Sequence, residues 1–465
     1  MQATRRGFLK FIGFAATAFV ARPEIFASQR EARKPNVLLI FTDDQGMLDV
    51  NCYGSNDLYT PAMDNLAKTG IRFTQAYAHT VCCPSRALLL TGRHPQRSNV
   101  NTWTQGNAKE TKKGVNMFKS ELTLAEVLQS AGYKTALFGK WHLGAHPDYG
   151  PTEQGFDEFF GHRGGFIDNY NHHFLHGRGF HDLYEAKTEV FARGKYFPDM
   201  TTQRAVEFIE RNRANPFFLY LAFNLPHYPE QSDRKFDERY QDMPMPRQSY
   251  ARTISTVDDR IGRVVAKLEE LNLRENTIII LMSDNGCSTE DIRIKVDNHT
   301  SGLPRGHNYG ANGGGGNTGK WRGAKGSFFE GGIRVPAIIS YPKQLPQAIV
   351  RHQAITAADW FPTVLDLCNI PLPKVKLDGQ TLLPIIKSPH TPTHHKIMHW
   401  QWQNKWAVRK GPWKLIGKAD QPQFLANLED PEPERINYLK EKPEITDALN
   451  NLHTQWAASV KPDKQ

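Results

Sequence analysis

The sequence predicts an α/β protein in which helices flank a large, mainly parallel sheet and a smaller C-terminal part carries a short antiparallel sheet. Three observations lead there. Short apolar runs alternate with amphipathic helical patterns over most of the chain. Polar clusters follow four of those runs directly, as expected where the strands of an open parallel sheet end. Beyond about residue 350 the pattern shifts to short segments joined by tight turns.

Residues 1–29 stand apart from the fold. Arg5 and Arg6 precede Phe8-Leu9-Lys10 and an apolar stretch over 11–21, the arrangement of a twin-arginine export signal. The twin-arginine machinery, which exports folded proteins, is therefore an expected partner, and the expected location is the periplasm or exterior of a bacterium. A catalytic α/β domain is expected over 30–349 and an α+β subdomain over 350–465.

Residues 37–41 read as a buried strand. Thr60-Pro61 supplies an N-cap and first-turn proline for a helix to residue 67, which Gly70 closes before a strand over 71–77. Thr123 with Glu126 forms a capping box, and Leu124, Val127 and Leu128 give that helix an apolar face leading to a strand over 134–138. The order repeats as helix 201–211 before strand 217–223, and helix 251–271 before strand 277–282. Residues 406–409 and 413–416, joined at Gly411-Pro412, read as an antiparallel hairpin.

The 465 residues exceed the size at which a single core usually stops growing. A hydrophobic share of 39% suits a globular chain, and no uncharged apolar run is long enough for a stable membrane span. Formal charge is +10, of which the first 30 residues carry four. The modest remaining excess is compatible with an anionic substrate, and no basic run interleaved with aromatics points to nucleic acid. Cys52, Cys82, Cys83, Cys287 and Cys368 form no metal-type C-x-x-C pair and predict no disulfide framework. Cys82 and Cys83 are too close to staple the fold, so chemistry is the better reading.

The four strand-end clusters are Thr42-Asp43-Asp44-Gln45-Gly46, Gly139-Lys140-Trp141-His142, Pro226-His227-Tyr228-Pro229 and Ser283-Asp284-Asn285-Gly286. Ligands of open parallel sheets bind beyond the carboxyl ends of the strands, so the four should converge in one cleft. Residues 305–332, rich in glycine and asparagine, read as a long active-site loop. A second loop over 161–184, with Arg163, Asp168, Asn169, His172 and His173, is the candidate substrate-facing insertion, and a solvated surface loop is its alternative.

The run Cys82-Cys83-Pro84-Ser85-Arg86-Ala87-Leu88-Leu89-Leu90-Thr91-Gly92-Arg93 is the most informative segment. Pro84 suits a first helical turn and places Cys82 at the helix N-terminus, where free N–H groups favour an anion. The string resembles the type I sulfatase signature C-x-P-S-R-x-x-x-L-T-G-R at every fixed position. The resemblance implies the alkaline-phosphatase-like sandwich of that superfamily. It also implies oxidation of Cys82 to Cα-formylglycine by a formylglycine-generating or sulfatase-maturating enzyme.

Other positions match the family. Asp43, Asp44, Asp284 and Asn285, with the modified Cys82, match its calcium ligands, and as hard oxygen donors they suit Ca²⁺ or Mg²⁺ better than zinc. Lys140 and His142 match its G-K-W-H segment, His227 its P-H-x-P segment, and Lys325 its K-G-x-x-x-E-G-G segment. The implied activity is hydrolysis of sulfuric esters. A hydrated aldehyde offers one hydroxyl to attack sulfur and a second to expel sulfate, while Arg86, Lys140, Lys325 and the cation neutralise the sulfuryl oxygens. By the same analogy Asp284 takes the nucleophile's proton, His227 or Lys325 protonates the departing alcohol, and His142 deprotonates the second hydroxyl.

Two alternatives stand beside this reading. A phosphatase or phosphonate monoester hydrolase of the same superfamily would in general hold two zinc ions on several histidines. A non-catalytic glycan-binding protein on the same fold would have lost some of the positions that are all present here. The favoured substrate is an anionic sugar or sulfated polysaccharide.

Overall fold

The computed structural model describes residues 33–107, 115–290, 293–307 and 313–461. The expected export signal lies outside the described residues. Lys34–Gln465 form one compact unit. Among the described residues no helix is long and apolar enough to cross a membrane.

The chain begins with β1 (Asn36–Asp43), α1 (Pro61–Lys68), β2 (Ile71–Tyr77), α2 (Cys82–Thr91), α3 (Leu124–Ser130), β3 (Lys134–Lys140) and β4 (Glu158–His162). Short strands β5 (His173–Phe174) and β6 (Phe180–His181) pair with each other, and β7 (Tyr184–Glu185) and β8 (Thr188–Glu189) extend the main sheet. There follow α4 (Phe197–Arg211), β9 (Phe217–Pro226), α5 (Arg247–Glu270), β10 (Thr277–Ser283), α6 (Glu330–Ile333), β11 (Arg334–Ser340) and β12 (Ile349–Thr356).

These strands build a ten-stranded sheet in the order β12-β2-β11-β10-β1-β9-β3-β4-β7-β8. Its central five, β10-β1-β9-β3-β4, are all parallel. The large, mainly parallel sheet read from the sequence is therefore present. Strand β11 runs antiparallel between β10 and β2. Both faces of the centre are covered. On β1, Val37, Leu39 and Phe41 enter one core while Leu38 and Ile40 enter the other, which explains why this strand is a continuous apolar run rather than an alternating one.

The capping box at Thr123 and Glu126 forms as expected. Thr60 does not cap α1, because its hydroxyl accepts the Asn51 N–H at 3.0 Å. Asp258 of α5 caps that helix instead, accepting the N–H groups of Ala62 and Met63 at 3.0 and 2.8 Å. Helices α4 and α5 each begin four residues earlier than their periodicity suggested. Pro198 lies in the first turn of α4, where the missing N–H costs nothing.

The small antiparallel sheet comprises β13 (Ile397–Trp402), β14 (Lys405–Lys410), β15 (Trp413–Lys418) and β16 (Gln421–Asn427). Its β14–β15 hairpin is the one anticipated at Gly411-Pro412. The helix Pro443–Ser459 packs Leu449 and Leu452 against Trp406, Val408 and Leu415. Strand β12, at the division expected near residue 350, pairs with β2 in the large sheet.

Candidate active site

The five parallel strands end side by side at Ser283, Asp43, Pro226, Lys140 and His162, and the polar residues that follow them meet in one place. Asp43 closes β1, and Asp44 turns away with φ of 64°. The Asp44 N–H donates to Asp284 Oδ1 at 3.1 Å, and Asn285 Nδ2 donates to Asp44 Oδ1 at 2.7 Å. Gly286 lets the next strand connection pass, since a side chain there would collide with the carbonyl of Gly331.

Helix α2 points its first residue into this acidic group. Cys82 Sγ donates to Asp43 Oδ1 at 3.1 Å, and the Ser85 hydroxyl donates to the Asp284 carbonyl. Arg86, four residues on and thus on the same helical face, donates to Asp284 Oδ2 at 3.0 Å and to the Lys140 carbonyl at 3.0 Å. Lys140 Nζ donates to Asp43 Oδ2 at 2.5 Å. From the long loop, Lys325 Nζ donates to Asp44 Oδ2 at 2.9 Å and Glu290 Oε2 at 3.2 Å. His227 Nδ1–H donates to the Tyr228 carbonyl at 2.7 Å, leaving Nε2 facing Asp44 Oδ2 at 3.6 Å.

Burial would raise Asp43, but Lys140, His227, Arg86 and Lys325 outweigh it and hold the carboxyl well below the usual range. Burial pushes Asp44 up to about 8 and Asp284 up to about 6, with repulsion from Asp43 adding to both. His227 is lowered to about 3 by burial and then by Lys325. Burial and the charges of Lys140 and Arg86 take His142 well below its ordinary value. Both ring nitrogens of His142 are buried without a hydrogen-bond partner among the described residues.

The donor set fits a metal ion. Asp43, Asp44, Cys82 and His227 offer ligand atoms all within 4.8 Å of one another. Asn285 Oδ1 is buried with no hydrogen-bond partner among the described residues, and such an orphaned acceptor needs a partner to offset its desolvation. Crowded carboxylates resist ionisation, a cost that a cation among them removes. Carboxylate and amide oxygens favour Ca²⁺ or Mg²⁺.

The sequence-predicted residues Cys82, Arg86, Lys140, His142, His227 and Lys325 thus gather around Asp43, Asp44, Asp284 and Asn285. The five residues of the 161–184 loop are engaged differently. Arg163 is buried, with its guanidinium 4.3 Å from the Tyr184 ring centre and donating to the Ala186 carbonyl at 3.0 Å. Asp168 accepts the N–H groups of Tyr170 and Asn171, and Asn169 bonds Asn224 and the Pro229 carbonyl. His172 and His173 meet the carbonyls of Lys195 and Asn171. These contacts pin the loop to itself and to the segment carrying His227.

Sequence reasoning missed three neighbours of the site. Glu290 holds Lys325. Tyr220 on β9 accepts from Arg86 Nη1 at 3.4 Å. His162, one strand over from Lys140, has Nε2 buried without a partner among the described residues. Position at or beyond a strand end could have singled out His162 and Glu290; nothing in the apolar run of β9 marks Tyr220.

The sulfatase family model matches residues 35–370, and a model described as the C-terminal part of N-sulphoglucosamine sulphohydrolase matches residues 321–461. The N-acetylgalactosamine-6-sulfatase of Sus scrofa is 32% identical over 409 residues, covering 80% of this chain and 73% of its own. Arylsulfatase A of Homo sapiens is 33% identical over 376 residues, covering 76% and 68%. Among solved structures, Ps i-CgsB in complex with k-i-k-neocarrahexaose superposes with a TM-score of 0.77 at 29% identity, covering 91% of this chain and 93% of that one. With the family's signature at the head of α2 and its fold throughout the described residues, the chain belongs to the sulfatase family and is a sulfuric ester hydrolase.

Proposed function

We propose that the protein removes sulfate from an anionic sugar or polysaccharide, with Cys82 carried as formylglycine and one Ca²⁺, or Mg²⁺, on Asp43, Asp44, Asp284, Asn285 and the modified Cys82. The main support is the meeting at Cys82 of three buried carboxylates, buried Asn285, Arg86 and Lys140, and the half-buried Lys325, at the mouth of five parallel strands. The glycan part of the reading draws on the relatives named for N-acetylgalactosamine-6-sulfatase activity and on the structure holding a neocarrahexaose. The maturation enzyme, the twin-arginine machinery and a periplasmic or extracellular location belong to the same proposal.

The cation, when bound, supplies positive charge against the sulfate oxygens. The hydrated formylglycine supplies two hydroxyls on one carbon, one to attack sulfur and one to release sulfate. The chain's own residues do the rest. Arg86, Lys140 and Lys325 bind the sulfuryl oxygens and offset the charge that grows on them. Asp284, raised by burial, accepts a proton from the attacking hydroxyl. His227 Nε2, bare while Nδ1–H serves the Tyr228 carbonyl, takes up a proton as the anionic substrate binds and passes it to the leaving oxygen, with Lys325 Nζ beside it, already protonated, as the alternative donor. His142, neutral and with both nitrogens free of partners among the described residues, takes the proton of the second hydroxyl.

Mass spectrometry of the tryptic peptide ending at Arg86 tests the reading, using protein made beside a competent maturation enzyme. Formylglycine is expected at Cys82 and not at Cys83. Fully active protein with an unmodified Cys82 would overturn it.

A further inference from the structure

Trp103 presents 39% of its surface to solvent although it is a large apolar side chain. Its ring lies nearly parallel to that of His142, at 15° with centroids 6.1 Å apart, and edge-on to Trp402 of β13 at 5.2 Å. An exposed large aromatic against a reacting group is more informative than a scattered surface apolar residue.

The backbone around it is held from several sides. The Thr102 carbonyl accepts from Cys83 Sγ at 3.6 Å, the Thr104 hydroxyl donates to the His142 carbonyl at 2.6 Å, and the Gln403 N–H donates to the Asn101 carbonyl at 3.2 Å. These ties reach the head of α2, the segment after β3 and the small sheet. The indole is thus fixed beside the site by three parts of the molecule, and preorganisation lowers the cost of binding.

We propose that Trp103 is the stacking platform for the pyranose ring that carries the sulfate being cleaved. The axial C–H bonds of a pyranose are slightly positive and match the negative face of an indole. The charges around Cys82 recognise only the sulfate, so a neutral apolar surface next to His142 is where the rest of the sugar can be read. Gln105 adds a polar group on the same side, since its Oε1 and His142 Nε2 both approach the space above Gly165. This assignment rests on the glycan reading proposed above.

The test compares wild-type, Trp103→Phe and Trp103→Ala enzymes, all carrying formylglycine and metal. They are assayed on a defined sulfated disaccharide, with inorganic sulfate as competing inhibitor. Trp103→Ala should raise KM for the disaccharide about tenfold, from lost apolar contact, with a smaller change in kcat. Trp103→Phe should recover most of the loss, and inhibition by inorganic sulfate should be the same in all three. Unchanged KM in Trp103→Ala, or an equal loss of sulfate and disaccharide affinity, would overturn the platform alone. A wild-type enzyme that cleaves aryl sulfates but no saccharide in a broad panel would overturn the glycan reading, and the platform with it.

Discussion

His142 and His227 both enter the site uncharged, lowered by burial and by the cations around them. They differ in their hydrogen bonding. His227 is oriented by the Tyr228 carbonyl, whereas His142 has no partner for either nitrogen among the described residues. If His227 protonates the leaving oxygen, His227→Ala should slow hydrolysis of sugar sulfates by on the order of 10²–10⁴ more than that of aryl sulfates, whose phenolate leaves unaided. His142→Ala should give a burst of product and then slow turnover whatever the leaving group. Steady-state and rapid-mixing kinetics on both substrate classes separate the two, and equal losses for His227→Ala would move the acid role to Lys325. Metal binding has its own test at this scale. Elemental analysis should find one Ca²⁺ or Mg²⁺ per wild-type chain and little in Asp284→Ala or Asn285→Ala. Two zinc ions per chain would favour a phosphatase instead.

At the scale of elements, the segment that follows Lys325 is anchored through charge. Glu330, in α6, accepts from Lys414 of β15 at 2.8 Å, Arg334 at 3.2 Å and the Tyr77 hydroxyl at 2.7 Å. Burial would raise its carboxyl, but Lys414, Arg334 and Arg409 lower it to about 2. A depressed carboxyl contributes stability that is full above its unfolded value near 4.3 and fades as pH falls toward 2. Glu330→Gln should therefore lower Tm clearly at pH 7, and the deficit should shrink as the pH approaches 3, as calorimetry would show. Lys414 also pairs with Glu434 at 2.5 Å, so Lys414→Met takes the shared cation from two buried carboxylates and should cost about 3–5 kcal/mol. These elements also mark what the sequence made legible. The strands of the parallel centre and the residues beyond their ends could be read because apolar runs and polar clusters are local patterns. The antiparallel direction of β11 could not be read, since a buried apolar run looks the same either way. Nor could the Asp258 cap on α1 or the Tyr220 contact to Arg86, which join residues far apart in the chain without a periodic signal.

Across the whole molecule, the two sheets share one core. Trp400 of β13 packs in the same cluster as Ala87 and Leu88 of α2, and its indole N–H donates to the Ala78 carbonyl at 2.9 Å. Asp359, after β12, accepts from His395 just before β13 at 2.8 Å. A chain ending at residue 390 would expose this core beneath the catalytic helix. It should be recovered as aggregate without a cooperative melt; a soluble, cooperatively melting fragment in circular dichroism would show that the small sheet is dispensable.

The walls around Cys82 come from segments on both sides of it in the sequence, and that sets a clock. The thiol is 1% exposed, too enclosed for another enzyme's active site to reach once folding is complete. Asp284 and Lys325, which help close it in, are made some 200 residues later. At roughly 5–20 residues per second of synthesis, the growing chain leaves Cys82 uncovered for on the order of ten to forty seconds. If Cys82 is carried as formylglycine, as proposed above, its oxidation has to win that race. A cell with too little maturation enzyme would accumulate folded protein that is inert for good, because repair would require unfolding it. The proposed twin-arginine route, which exports finished folds, would carry out both kinds of molecule alike.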